Sequence, residues 1–159
     1  MTSAQERKIK QTGCNARFDN LTRQLYSTDA SIYQIHPVGA AFPKTAEQAS
    51  LVIRAAADAG LSITPRGAGT SLVGNAIGDG LIVDFSRHNR RITDLNLEKH
   101  SVRVGAGVVL DQLNKFLKPH GFCFGPFCPA NAGKRADEFA VGAAVSAAAT
   151  ADQTKASAG

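Results

Sequence analysis

Gly67, Gly69 and Gly74 fall within one ten-residue stretch, Pro65-Arg66-Gly67-Ala68-Gly69-Thr70-Ser71-Leu72-Val73-Gly74. Glycine lacks a Cβ and takes positive φ at little cost, so a turn rich in it lets a ligand reach the backbone. Successive exposed amides in such a turn form an anion-binding concavity. Thr70 and Ser71 add hydroxyl donors. A pyrophosphate, with many oxygens to satisfy at short range, suits this combination. A flexible connection between two strands suits it equally, so the turn by itself leaves both readings open.

Two other phosphate-binding patterns are excluded. A dinucleotide fingerprint needs G-x-G-x-x-G opening a helix. Here Gly67-Ala68-Gly69 is followed by Gly74, with no glycine at position 72, and the next apolar run reads as a strand. A Walker A loop needs Gly-Lys-Ser/Thr, which does not occur. Arg66 is a cation beside the turn: either it balances phosphate charge or it is a surface arginine. His36, His88, His100 and His120 read as surface or structural histidines, and no catalytic base is identified. Cys14, Cys123 and Cys128 are an odd set without a signal peptide, which argues against a disulfide framework. Cys123 and Cys128 have His120 as the single nearby imidazole, short of the four ligands of a structural zinc site, so they read as ordinary thiols and no metal is expected.

The elements around the turn follow from local pattern. Ala40-Ala41-Phe42-Pro43 is a short apolar strand. Thr45 and Gln48 form a capping-box pattern at the start of a helix. Ala49, Val52, Ile53 and Ala56 line one face of that helix, and Gly60 ends it. Leu61 to Thr64 is a second strand, which completes a βαβ unit with parallel strands. Gly80 to Phe85 is a buried strand. Arg91 to Leu97 and Ser101 to Ala106 are two more, joined through Glu98-Lys99-His100. Val109, Leu113, Phe116 and Leu117 make a second helical stripe, ended by Pro119 and Gly121. From Ala136 alanine dominates, and a helix is expected from Val141 to Thr150. Residues 1 to 24 are polar, with room for a short amphipathic helix, and residues 26 to 39 read as an extended lead-in.

Composition narrows the class. The 159 residues suit one domain, and 43% hydrophobic with 19% charged is neither disordered nor membrane-like. No apolar run approaches the ~20 residues needed to span a bilayer. Met1 to Gln11 lacks the apolar core of a secretory signal, so a cytoplasmic location is expected, with peripheral attachment to the inner membrane left open. Eighteen basic against thirteen acidic residues give +5, an excess that suits an anionic ligand. The cations are scattered, there is no tryptophan, and nucleic acid is not an expected partner.

Taken with the strand-helix-strand before it, Pro65 to Leu72 resembles the flavin pyrophosphate loop of the PCMH-type FAD-binding domain, that of the vanillyl-alcohol oxidase superfamily. Tyr26-Ser27-Thr28-Asp29-Ala30-Ser31-Ile32-Tyr33, Phe42-Pro43-Lys44-Thr45, Val83-Asp84-Phe85-Ser86-Arg87 and Gly107-Val108-Val109-Leu110-Asp111-Gln112-Leu113-Asn114 are similar to the branch of FAD-linked glycolate oxidases and D-lactate dehydrogenases. The resemblance runs in register from Arg17 to Pro129. It implies an α+β chain forming the first half of a PCMH-type FAD-binding fold: a small βαβ sub-domain followed by further strands and helices. It implies FAD contacts from Arg66, Gly67, Ala68, Gly69, Thr70, Ser71 and Gly74. Some relatives carry a histidine at the place of Thr70 that links covalently to the flavin, so threonine here implies non-covalent FAD.

The match changes beyond residue 125. The family continues through a Gly-Pro-Asp-Pro-like turn into Thr-Ile-Gly-Gly and then an asparagine pair. Here Gly125-Pro126-Phe127-Cys128-Pro129 keeps part of the turn, and Ala140-Val141-Gly142-Ala143 stands at the second motif. Gly142 and Ala143 are therefore the second expected cofactor segment, with alanine in the place of a glycine. Ala147 and Ala148 stand near the asparagine pair and offer no side-chain donor or acceptor. The expected organisation is a polar segment at 1–24, the N-terminal part of the FAD-binding domain at 25–135 and a divergent tail at 136–159. The resemblance implies the FAD-binding portion of an oxidoreductase acting on D-lactate or glycolate, truncated and inactive alone. A complementary chain would supply the rest of the fold. The alternative is a non-catalytic fragment or an FAD-binding module without activity of its own.

Overall fold

The computed structural model describes residues 1–124 and the backbone of a strand at 140–143. Among the described residues two compact units are present, one within Met1–His88 and one within Asn89–Ala144.

The first unit opens with α1 (Ser3–Lys10), whose N-terminus carries a complete capping box from Thr2 and Gln5. Ile9 is its single buried residue and enters the core with Cys14, Ala41, Val52, Leu81, Val83 and Phe85. The polar N-terminal stretch is thus anchored by one apolar side chain. Strand β1 (Asn15–Arg17) follows, then α2 (Asn20–Leu25), capped by Asp19. Hydrogen bonds from the Thr22 amide and hydroxyl hold the Asp19 carboxyl below the usual carboxylate range.

The expected strand-helix-strand is β2 (Gly39–Phe42), α3 (Ala46–Asp58) and β3 (Ile63–Arg66). Thr45 caps α3 by accepting the Gln48 amide at 3.2 Å. The Gln48 side chain accepts the Lys44 amide at 2.9 Å, one residue before the cap, so the box closes differently from the simple pattern. Ala49, Val52 and Ala56 are the buried stripe, and Gly60 leaves the helix at φ +69°. β2 and β3 are parallel but not neighbours. Strand β4 (Leu81–Asp84) lies between them, in the order β1-β2-β4-β3, with β1 antiparallel and the other pairs parallel. β3 is an edge strand, which explains how it accommodates Pro65, a residue with no amide to donate.

The second unit is built on β5 (Ile92–Asn96) and β6 (Ser101–Val104), an antiparallel pair. Val102 and Val104 pack with Leu113 and Leu117 of α4 (Leu110–Leu117) and with Phe122. A 3-10 turn at Lys118–His120 and Gly121 at φ +77° end the helix where Pro119 and Gly121 were expected to end it. Strand β7 (Ala140–Ala143) pairs in parallel with β6. This corrects the expectation of a helix starting at Val141. Gly142 is a poor helix former, Val141 is β-branched, and an open edge of β6 supplies the hydrogen bonds that a short local segment cannot make alone. The rest of that expected helix lies outside the described residues, as do the Gly125–Pro129 turn and Cys128. Cys14 is a free, buried thiol whose pKa burial pushes up. Cys123 is buried and disulfide-bonded, which corrects the reading of it as a plain thiol.

Candidate functional site

The parallel strands of the first unit end side by side. Arg66, the last residue of β3, is in register with Asp84, the last of β4, and Phe42 ends β2 on the other side. Crevices beyond the carboxyl ends of parallel strands are where open α/β sheets bind ligands. β2 and β4 are fully buried, so the polar groups sit at the strand ends and on the loops that leave them.

Tyr26, just after α2, lies across this edge. Its ring centroid is 5.8 Å from that of Phe42, and the Arg66 guanidinium carbon is 5.2 Å from the Tyr26 ring centroid. The Tyr26 hydroxyl donates to Asp84 Oδ2. Asp84, only 3% exposed, also accepts the Ser86 amide at 2.7 Å and the Ser86 hydroxyl at 2.6 Å. Arg87 Nε is 3.9 Å from the same carboxylate, and its guanidinium covers the Phe42 ring at 4.1 Å. Buried polar groups need such partners, since each unpaired one costs ~1–3 kcal/mol. Burial, followed by the hydrogen bond to Asp84 and its negative charge, pushes the Tyr26 pKa up to about 12.

The glycine-rich loop starts at Arg66. Gly69 and Gly74 adopt φ of +71° and +78°, the left-handed conformation that glycine takes without strain. A Cβ on Gly69 would lie 2.5 Å from Arg66 Nη2, so the guanidinium sits directly under the turn. A Cβ on Gly67 would meet nothing within 4 Å, so the backbone there faces open space. Ser71 Oγ accepts the amides of Val73 and Asn75 at 3.3 and 3.0 Å and shapes the second half of the loop. Among the described residues, none of the amides from Gly67 to Leu72 donates to a protein acceptor. The first half of the loop is therefore a run of free donors above a fixed positive charge, an arrangement suited to a multiply charged anion.

Arg66, Gly67, Ala68, Gly69, Thr70, Ser71 and Gly74 are thus brought together in one loop. Arg66 points inward, donating to the Ala76 carbonyl at 3.0 Å, which decides against a free surface arginine. Ser71 is likewise turned back into its own loop. Gly142 and Ala143 belong to the other unit, opposite Arg103 and Val104 in the β6–β7 pairing. His100 and His120 pack against Phe122 and Phe116, at 5.2 and 6.2 Å between ring centroids. No cluster of metal-binding side chains occurs among the described residues, and none of their helices is long and apolar enough to cross a membrane. An open depression of about 540 Å³ lined by Glu6, Lys10, Arg17 and Asp19 involves none of the loop residues.

Tyr26, Asp29 and Asp84 have no signal in the sequence as site residues. The Tyr26–Asp84 hydrogen bond joins residues 58 positions apart. Local spacing cannot reveal a pairing across that separation; the two motifs that contain them were visible only as matching segments.

The model of the FAD binding domain family matches residues 37–157. Proteins named D-2-hydroxyglutarate dehydrogenase are similar: the one from Pantoea ananatis is 50% identical over 103 residues, 63% of this chain and 10% of that protein. The one from Escherichia coli is 48% identical over 107 residues, 65% of this chain and 10% of that protein. A mitochondrial D-lactate dehydrogenase [cytochrome] from Saccharomyces cerevisiae is 32% identical over 88 residues, 53% of this chain and 15% of that protein. Among solved structures, xylooligosaccharide oxidase from Myceliophthora thermophila superposes with a TM-score of 0.63 at 23% identity, covering 77% of this chain and 27% of that one. The fold is therefore that of FAD-dependent oxidoreductases with mixed helices and strands. This chain belongs to the FAD binding domain family of PCMH type, and it is related to D-2-hydroxyglutarate and D-lactate dehydrogenases. It spans about a tenth of the length of the D-2-hydroxyglutarate dehydrogenases it matches.

Proposed function

We propose that this chain forms the pyrophosphate-binding wall of the FAD site in a flavin-dependent dehydrogenase of D-2-hydroxy acids. The observation that carries the reading is the run of free amides from Gly67 to Leu72, set above the Arg66 guanidinium. Arg66 supplies charge from beneath, Gly67, Ala68, Gly69 and Thr70 supply backbone donors, and Ser71 and Gly74 hold the loop's curvature. The family resemblance assigns Gly142 and Ala143 to a second cofactor segment. Thr70 cannot form the covalent link that a histidine makes at that place, so FAD is held non-covalently. FAD held by these residues would supply a hydride acceptor for oxidising the substrate's hydroxyl carbon, a reaction that also needs a base for the hydroxyl proton. Other protein supplies that base and the contacts to the flavin ring, on a complementary chain in this reading. The names of the relatives favour D-2-hydroxyglutarate as substrate, ahead of D-lactate or glycolate. The location proposed is cytoplasmic.

A second reading is favoured by one specific observation. Alanine stands at Ala143, Ala147 and Ala148, where the family pattern has glycine and asparagines. Each lost polar contact weakens binding by ~1 kcal/mol, and this favours a non-catalytic degenerate fragment, or an FAD-binding module without activity of its own.

Titration of the purified chain with FAD, followed by visible absorbance and fluorescence quenching, tests the first reading. Saturable binding, with all flavin released on acid precipitation, is the expected result. Absence of binding would overturn it for this chain, and flavin retained in the precipitate would overturn the non-covalent attachment. Turnover of D-2-hydroxyglutarate, D-lactate or glycolate with a dye acceptor by the isolated chain would overturn the second reading.

A further inference from the structure

The loop that carries the free amides is held from outside by a short segment that precedes the parallel strands in the chain. Asp29 and Ala30 lie in the irregular stretch after α2. Asp29 Oδ1 accepts the Ser31 amide at 2.9 Å, an Asx turn that fixes the carboxylate's direction. Asp29 Oδ2 accepts the Ala76 amide at 3.3 Å. The Ala76 carbonyl accepts Arg66 Nη1 at 3.0 Å. The Ala30 amide donates to the Gly69 carbonyl at 3.1 Å. Two backbone points of the loop, Gly69 and Ala76, are therefore tied to neighbouring residues of one distant segment. Ala76 is gripped on both its polar groups, by a carboxylate on one side and a guanidinium on the other.

We propose that Asp29 is a positioning residue for the cofactor loop, fixing Ala76 against Arg66 so that the amides from Gly67 to Leu72 stay free. The inference rests on the reading of that loop as the FAD pyrophosphate site. Asp29 touches none of those free amides, so it acts through the loop. Its hydrogen bond from Ser31 holds its carboxyl below the usual carboxylate range, with the Ala76 amide and the Arg66 charge adding to the effect. The carboxylate is therefore charged at neutral pH.

This assignment has a sign that separates it from simple electrostatics. A carboxylate near a pyrophosphate repels it, so neutralising Asp29 would tighten FAD binding if charge alone mattered. If positioning dominates, the same change weakens binding.

The test uses the full 159-residue chain and its Asp29→Ala and Asp29→Asn variants. FAD affinity is measured by titration, and amide hydrogen exchange is measured on the FAD-free proteins. Asp29→Ala is expected to bind FAD about tenfold more weakly, equivalent to ~1.4 kcal/mol. The Ala30 amide is the informative exchange probe. Its acceptor is the Gly69 carbonyl, so faster exchange, once corrected for the intrinsic rate beside position 29, reports that the segment and the loop part. Faster exchange at Ala30 in the variants, with weaker FAD binding, supports the assignment. Equal or tighter FAD binding by both variants overturns it. If the unsubstituted chain binds no FAD, the functional reading fails, and the exchange measurement still decides the clasp: unchanged Ala30 exchange overturns it and faster exchange supports it. Should Asp29→Ala not fold, Asp29→Asn, which keeps one acceptor oxygen, carries both measurements.

Discussion

The sheets of the two units bury their strands in different ways. β2 and β4 have no exposed residue, since helices and loops cover both faces of the parallel sheet. β6 alternates, with Val102 and Val104 buried and Arg103 exposed. The difference decides where polar chemistry can sit. A strand buried on both faces can present functional groups only at its ends, which is where Asp84 closes β4, with Tyr26 donating to it. A strand open on one face spends its polar residues on solvated pairs such as Arg103 with Asp94, 3.2 Å apart and more than 60% exposed on both sides. Such pairs are worth ~0.2–1 kcal/mol.

The contrast breaks first at Asp84. Asp84→Ala leaves the Tyr26 hydroxyl and the Ser86 groups without their acceptor, and a loss of ~3 kcal/mol is expected in urea unfolding. A loss below ~1 kcal/mol would mean that the buried network is no more valuable than the exposed pair. In the second unit the apolar face should matter comparably. Leu117→Ala, at a fully buried position, is expected to cost ~2–5 kcal/mol of that unit's stability.

Next in size is the pH dependence of Tyr26. Its folded pKa is about 12, above the ~10 of an unfolded chain. Because the folded value is raised, the associated stability is present below about pH 10 and is lost as pH rises toward 12. The expected loss is roughly 2 kcal/mol, and it should vanish in Tyr26→Phe. Thermal melts across that range, made for both proteins, measure it.

Gly69→Ala comes after these. It forces a Cβ into the left-handed region, a strain of ~1–2 kcal/mol, and pushes it against the Arg66 guanidinium. Weaker FAD binding with a small drop in the melting midpoint is expected. The smallest effect should come from Arg103→Ala, within ~1 kcal/mol of the unsubstituted protein in the same urea experiment.

Much of this architecture was legible from short-range pattern. The cap at Thr45, the stop at Gly60, the buried run at Leu81 to Val83 and the alternation around Arg103 each depend on residues within a few positions of one another. Conformational preference and amphipathicity act at that range, and so does the left-handed bias at Gly69 and Gly74. The residues of the candidate loop were legible for the same reason.

What tertiary structure alone decided depends on partners far apart in the chain. It placed β4 between β2 and β3, drew Ile9 into the core, and turned Ala140–Ala143 into a strand on the edge of β6, where a helix was expected from Val141. It also set Tyr26 on Asp84 and Asp29 on Ala76, across 58 and 47 positions. Backbone hydrogen bonds and buried carboxylates are satisfied by whichever group the fold brings near, and no local propensity encodes that choice. The glycine-rich loop itself was therefore readable from its own residues, while the groups that hold it in shape were not.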